Sequence, residues 1–322
     1  MILLRVIGLL VGIVVVFASW MLTCAAWQTD NVTAGVVPLD ARSWEEFTVL
    51  TIGTGGGYEN PNRLGPSTAL AHGDQVVLVD AGRGVSESLR RARIPTSQPH
   101  TIYLTSLMPE NTLGLDDLLL TGWLDGRKTP LRVVGPPGTT ALVDGLLQAH
   151  ETAIRVQIKA LALPAEGARL VAEEIRSSWH ESLNGLQIEA IPLLGGPTLG
   201  LAWRFVADGK TVVVGTSAWG AAALIQFAKG ADMLIHEAAF VPTPEMAAEI
   251  GLDVDPERLQ RERQIHTPLE SVGDLAQRAQ VGTLVLVRLR PPPVYDVQIT
   301  MIVNNTYHGK IVIADDGDEL TP

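Results

Sequence analysis

The chain has 322 residues, 46% hydrophobic and 18% charged, which is a globular composition with length for one large domain or two small ones. A net charge of −11 with no basic run repels phosphate backbones and argues against a nucleic-acid partner. The single cysteine, Cys24, excludes an internal disulfide and any cysteine-based zinc cluster.

The N-terminal stretch MILLRVIGLLVGIVVVFASWMLTCAAW carries no charge from Val6 to Trp27. About 20 apolar residues in a helix match a bilayer core, and a cleaved signal has a shorter apolar region. The expectation is a membrane anchor through residues 6–27. Arg5 stays on the cytoplasmic side and the domain lies on the extracytoplasmic side. Cleavage near Cys24-Ala25-Ala26, giving a secreted product, is the alternative. Residues 1–29 are assigned to this segment, 30–45 to a linker and 46–322 to one domain.

Within the domain, Glu46 to Thr54 alternates as a strand and runs into the Gly55-Gly56-Gly57 loop. Ser67 to Ala71 and Gln75 to Asp80 read as a hairpin turning at His72-Gly73-Asp74. Ser86 to Ala92 is helical. The short strand Thr101 to Thr105 delivers the loop TSLMPENT, and a helix follows from Thr112 to Trp123. Leu131 to Val134 is a strand and Thr139 to His150 a helix. The second half repeats the style. It has strands at Leu186 to Pro192, Gly200 to Ala207 and Thr211 to Gly215, a helix at Ala218 to Lys229, and a strand at Met233 to His236. After a polar segment come a helix at Pro268 to Gln280, a strand at Leu284 to Leu289 and a closing strand at Gly309 to Ala314. Two similar strand-rich halves with interspersed helices predict an α/β protein, with sheets packed face to face and helices outside.

Several segments, in order, resemble the metallo-β-lactamase superfamily, in particular its ribonuclease Z and arylsulfatase-like branch. They are Leu50-Thr51-Ile52-Gly53-Thr54-Gly55 with Arg63, Gly65 and Ser67, then Leu78-Val79-Asp80-Ala81-Gly82. Gly135-Pro136-Pro137-Gly138-Thr139, Ile235-His236-Glu237-Ala238, His266-Thr267 and Leu284-Val285-Leu286-Val287 follow. The resemblance covers about residues 48 to 296. It implies a four-layer αββα sandwich with a two-metal groove, in which paired zinc ions activate a bridging hydroxide.

The ligand positions of that family are replaced here. The loop that reads Thr-His-x-His-x-Asp-His in the family reads Thr105-Ser106-Leu107-Met108-Pro109-Glu110-Asn111. The mid-chain histidine falls at Leu193 or Leu194, the bridging aspartate at Thr216 and the last histidine at Arg288. A hydroxyl, a thioether, an amide and a guanidinium do not hold zinc, so no metal is expected.

The resemblance makes Asp80, His236 and Glu237 supporting residues, and places His266 beside the groove as a proton-transfer group. Glu110 reads as an acid or base, or as the negative charge of a helix start. Met108 reads as packing in the vacated volume. Arg288 is either an anion-binding charge or half of an internal salt bridge to Glu110 or Asp80.

The favoured reading is a membrane-anchored pseudoenzyme. Its groove of Ser106, Met108, Glu110, Asn111, Thr216, His266 and Arg288 takes a small anionic ligand or a protein partner. The alternative is a hydrolase of esters, sulfate esters or phosphodiesters with an altered site. That alternative predicts Glu110, His266 and Arg288 within hydrogen-bond reach of one another.

Overall fold

The computed structural model describes residues 11–26, 38–57, 60, 62–196, 198–215, 220–249, 251, 253, 255–290 and 296–322. Two compact units divide the chain, 1–40 and 41–322. In the first, a helix (α1) covers 11–26.

The expected transmembrane anchor is corrected here. Among the described residues, no helix is long and apolar enough to cross a membrane. Of the residues 6–27 expected to form the anchor, 6–10 and 27 lie outside the described residues.

The second unit is built from two seven-stranded sheets. The first contains β1 (Trp44–Gly53), β2 (Ser67–Gly73), β3 (Gln75–Val79), β4 (Thr101–Tyr103), β5 (Leu131–Gly135), β6 (Leu170–Glu174) and, from the chain end, β14 (Glu319–Leu320). Its order is β14-β1-β2-β3-β4-β5-β6. The second contains β7 (Trp179–Leu183), β8 (Leu186–Leu193), β9 (Gly200–Ala207), β10 (Lys210–Gly215), β11 (Met233–Ala239), β12 (Thr283–Arg290) and β13 (Lys310–Ile313), in the order β13-β12-β11-β10-β9-β8-β7. Each sheet pairs antiparallel hairpins with a parallel stretch: β3-β4-β5-β6 in one, β10-β11-β12-β13 in the other.

Alternation along the strands sorts the apolar residues into layers. Val77, Val79, Tyr103, Trp203, Phe205, Val212, Ile235, Val285 and Val287 fill the space between the sheets. The outer face of the first sheet packs on α2 (Val85–Arg91), α4 (Leu115–Leu124) and α5 (Thr139–Leu161), with Leu89, Leu118 and Val143 in one cluster with Leu78 and Val133. The outer face of the second packs on α6 (Ala221–Phe227), α9 (Leu269–Ala279) and α10 (Asp296–Asn304), through Leu224, Val272 and Val303. This is the four-layer αββα order that the resemblance implied.

The expected helix from Thr112 to Trp123 is two helices, α3 (Pro109–Thr112) and α4. They part at Gly114, where a Cβ would sit 2.2 Å from the Gly82 carbonyl oxygen. The polar segment before residue 266 holds α7 (Pro244–Glu249) and α8 (Pro256–Ile265). The last strand is β14 rather than the Gly309 to Ala314 segment.

Candidate functional site

Asp80 follows β3, Thr105 and Ser106 follow β4, Thr54 follows β1, and Arg288 lies near the end of β12. In parallel-stranded architectures the carboxyl ends of strands are where ligands are held. Here those ends are joined by one buried polar network. Thr105 donates its backbone N–H to Asp80 Oδ1 at 2.8 Å and its hydroxyl to Asp80 Oδ2 at 2.7 Å. Asn111 donates through Nδ2 to Ser106 Oγ at 2.7 Å and to Thr105 Oγ1 at 3.2 Å. Arg288 closes the set from the other sheet, with Nη1 on Asn111 Oδ1 at 2.6 Å and Nη2 on Asp80 Oδ2. A guanidinium has only donors, so it fixes which atom of the Asn111 amide faces it.

The backbone is shaped for this pairing. Alternation puts Leu286 under the helices and Val287 between the sheets. A further regular strand residue would face the helices again. Arg288 instead takes φ 54°, the register shifts between Glu237 and Ala239 against β12, and the guanidinium reaches Asp80. Asp80 is itself left-handed at φ 63°. Such conformations are costly in residues other than glycine and cluster where a site demands them.

The Arg288 side chain is 6% exposed and that of Asp80 is fully buried. Burial pushes the Asp80 carboxyl up from its usual range, with the Arg288 charge and the Thr105 donors opposing it.

A second buried group lies on β11. Glu237 accepts from the Thr267 backbone N–H at 3.2 Å and contacts His266 Nδ1 at 3.3 Å. Burial raises the Glu237 carboxyl, but the His266 hydrogen bond and the charges of His266, His236 and Arg288 outweigh it, so it lies below the usual value. His236 is held neutral by burial, its Nδ1 against the Glu237 carbonyl at 2.7 Å and its Nε2 without a partner. Arg290, two residues beyond Arg288, meets Glu110 at 3.3 Å.

The sequence-predicted residues therefore fall into three groups. Asp80, Ser106, Asn111 and Arg288 share one network, which Met108 joins through its N–H on Ser106 Oγ at 3.3 Å. His236, Glu237 and His266 form a second, and Glu110 pairs away with Arg290. The convergence of Glu110, His266 and Arg288 is not found: each side chain bonds elsewhere. Of the two salt bridges considered for Arg288, the one to Asp80 forms. Glu110 does occupy the first turn of α3. Thr216 lies outside the described residues. Leu193 is buried at the end of β8, and Leu194 is 68% exposed. Sequence reasoning missed Thr54, Thr105 and Thr267 as network members, although all three lie in segments that carry the resemblance, and it missed Arg290 entirely. Arg290 carried a cue of its own, a second basic residue on the strand of Arg288.

The two-metal centre implied by the resemblance does not fit these side chains. Arg288 has no lone pair and repels a dication. The Asn111 oxygen and the Ser106 hydroxyl are engaged within the network. Among the described residues, no group of three or more His, Cys, Asp or Glu is placed to hold a metal ion.

Known structures with this architecture share the metallo-β-lactamase fold. The metallo-β-lactamase fold protein YhfI from Bacillus subtilis superposes with a TM-score of 0.65 over 85% of this chain and 98% of its own, at 19% identity. The short form of human tRNase Z gives 0.61 over 85% and 98%, at 18% identity. A diphosphatase from the PhnP family gives 0.61 over 85% and 97%, at 17% identity. No family model matches the chain.

Sequence narrows the class. Ribonuclease Z from Mycobacterium avium (strain 104) is 31% identical over 279 residues, covering 83% of this chain and 95% of its own length. Ribonuclease Z from Mycobacterium bovis (strain BCG / Pasteur 1173P2) is 28% identical over 279 residues, covering 84% and 96%. The chain belongs to the ribonuclease Z family of metallo-β-lactamase-fold hydrolases. The expected location, a membrane-anchored domain outside the cytoplasm, is overturned with the anchor on which it rested.

Proposed function

We propose that this chain is a metal-independent member of its family, in which an arginine-centred ion network takes the place of the hydrolytic centre. The observation that carries the reading is the Arg288 guanidinium set between Asp80 and Asn111. A cation that a metal would supply is already present as a covalent part of the chain, and its counter-charge is met. The same charge balance bears on the ligand. Arg288 and Arg290 face Asp80, Glu110 and Glu237, so the site offers no surplus positive charge to a phosphate or sulfate. This favours a partner-binding role over an anion receptor. The net charge of −11 argues in the same direction against RNA.

The test uses three measurements on the purified full chain supplied with zinc. The expected result is metal below about 0.1 per chain, no hydrolysis of bis(p-nitrophenyl) phosphate, and no saturable binding of inorganic phosphate by calorimetry. Phosphate binding without turnover would convert the reading to an anion receptor.

A second reading is favoured by the relationship to ribonuclease Z along 95% of the relative's length, and by the intact Glu237–His266 pair. It is a hydrolase of esters, sulfate esters or phosphodiesters with an altered or unaligned site. It requires close to two zinc ions per chain and zinc-dependent cleavage.

A further inference from the structure

The Arg288 clamp is tied to the far end of the chain. Arg288 donates its backbone N–H to the Thr54 carbonyl at 2.7 Å. Thr54 is in turn held from the C-terminal side. Asp316 Oδ1 accepts from Thr54 N and from Thr54 Oγ1, both at 2.7 Å, and Asp316 Oδ2 accepts from Leu64 N at 2.6 Å. Gly55 N–H closes the loop onto the Leu64 carbonyl at 2.7 Å, and a Cβ at Gly55 would sit 2.5 Å from the Arg63 carbonyl oxygen. Arg63, 8% exposed, donates to Thr54 Oγ1 at 2.9 Å and to the Ala314 carbonyl at 2.5 Å, and pairs with Asp315 at 2.5 Å. The next loop residues, Gly56 and Gly57, lie against the Arg290 guanidinium, with Glu110 Oε2 3.6 Å from where a Gly57 Cβ would be.

We infer that Asp316 is a positioning residue of the groove. Its carboxylate fixes Thr54, and the Thr54 carbonyl holds Arg288 in the left-handed conformation that aims its guanidinium at Asp80 and Asn111. The geometry favours a carboxylate, because three donors from two separated segments converge on two oxygens. An exposed Asp315 pair with Arg63 does not share this role: its side chain is 71% exposed and touches none of the Thr54 donors. The inference rests on the reading of Arg288 as the tie of the groove, and extends it to a segment 262 residues distant from Thr54 in sequence.

The experiment is hydrogen exchange on the full chain carrying Asp316→Ala, Asp316→Asn or Asp315→Asn, with the Arg288 Nε–H resonance as a second readout. Asp316→Ala is expected to raise exchange at residues 54–57 and 288 by about tenfold or more, leaving β9 and α9 at wild-type rates. It is also expected to shift the Arg288 Nε–H signal. Asp316→Asn keeps one acceptor oxygen for Thr54 and loses the bond from Leu64, so it should rescue most of the protection at 288. Asp315→Asn should leave both readouts unchanged. Unchanged exchange at 288 in Asp316→Ala would overturn the inference. So would an equal rise across β9 and α9, which would make Asp316 a general stability residue. Zinc binding or phosphodiester cleavage by the wild type would sink the proposed function without altering these rates, so the two failures are distinguishable.

Discussion

Arg288 and Asp80 are both left-handed, both buried, and bonded to each other across the two sheets. Breaking a buried pair from one side leaves an uncompensated charge and costs about 3–5 kcal/mol, whereas removing both charges with the shape kept is far cheaper. Arg288→Met is therefore expected to lower unfolding stability by about that amount, and Arg288→Met with Asp80→Asn by much less than the sum of the singles. Urea denaturation of the four chains checks this; additive costs would mean that the pair carries no coupling. Glu237 gives a pH signature of its own. Its folded value lies below the ordinary 4.5, so its contribution is present above about that pH and is lost as pH falls through the folded value. His266→Gln removes the main group that lowers it and leaves burial to raise it. The difference in urea midpoint between wild type and His266→Gln should therefore shrink on going from pH 6 to pH 3. A constant difference would show that the pair does not titrate with folding.

At the scale of elements, legibility followed apolar periodicity. β9, β11 and β12 are apolar runs flanked by turns, and their cores could be read directly. β6 (LVAEE) and β7 (WHESL) could not, because they pair in the outer part of each sheet and place Glu173 and Glu181 around Arg132. Their stabilising partners come from other segments, so the local sequence reads as polar loop. α8 has a single buried residue, Leu259, and shows no apolar stripe. The site divides in the same way. Ser106, Asn111 and Asp80 stood out because a family pattern supplied their register. The tie between Thr54 and Asp316 had no such guide: Asp316 lies beyond the resembling segments, the bond joins residues 262 apart, and a DDGD turn is ordinary on its own. The break between α3 and α4 was hidden for a related reason. It is set by the approach of Gly114 to the Gly82 carbonyl, a tertiary contact without a local signature.

At the scale of the molecule, the Arg288 network ties the two sheets at their strand ends, and the nature of that tie decides how stability responds to metal. A site that holds a metal only in the folded state adds stability in proportion to its occupancy, about 4 kcal/mol when the free ion stands a thousandfold above its dissociation constant. In a domain of this size, each kcal/mol moves the unfolding midpoint by about 2–4 °C. A two-metal protein would thus lose on the order of 10 °C when stripped by chelator. Here the bonds that cross between the sheets include those from Arg288 to Asp80 and Asn111, and from Trp203 Nε1 to the Leu104 carbonyl at 3.1 Å. None of these requires an ion. Calorimetric scans with EDTA and with added zinc are expected to agree within about 1 °C. A chain carrying Ser106→His, Met108→His, Glu110→Asp, Asn111→His, Thr216→Asp and Arg288→His should instead acquire a midpoint that rises with zinc, because it restores imidazole and carboxylate donors where the family has them. A zinc-dependent midpoint in the wild type would mean that the guanidinium has not replaced the metal. Zinc indifference in the six-fold variant would mean that the positions aligned with the family ligands are not the ones that face a common centre.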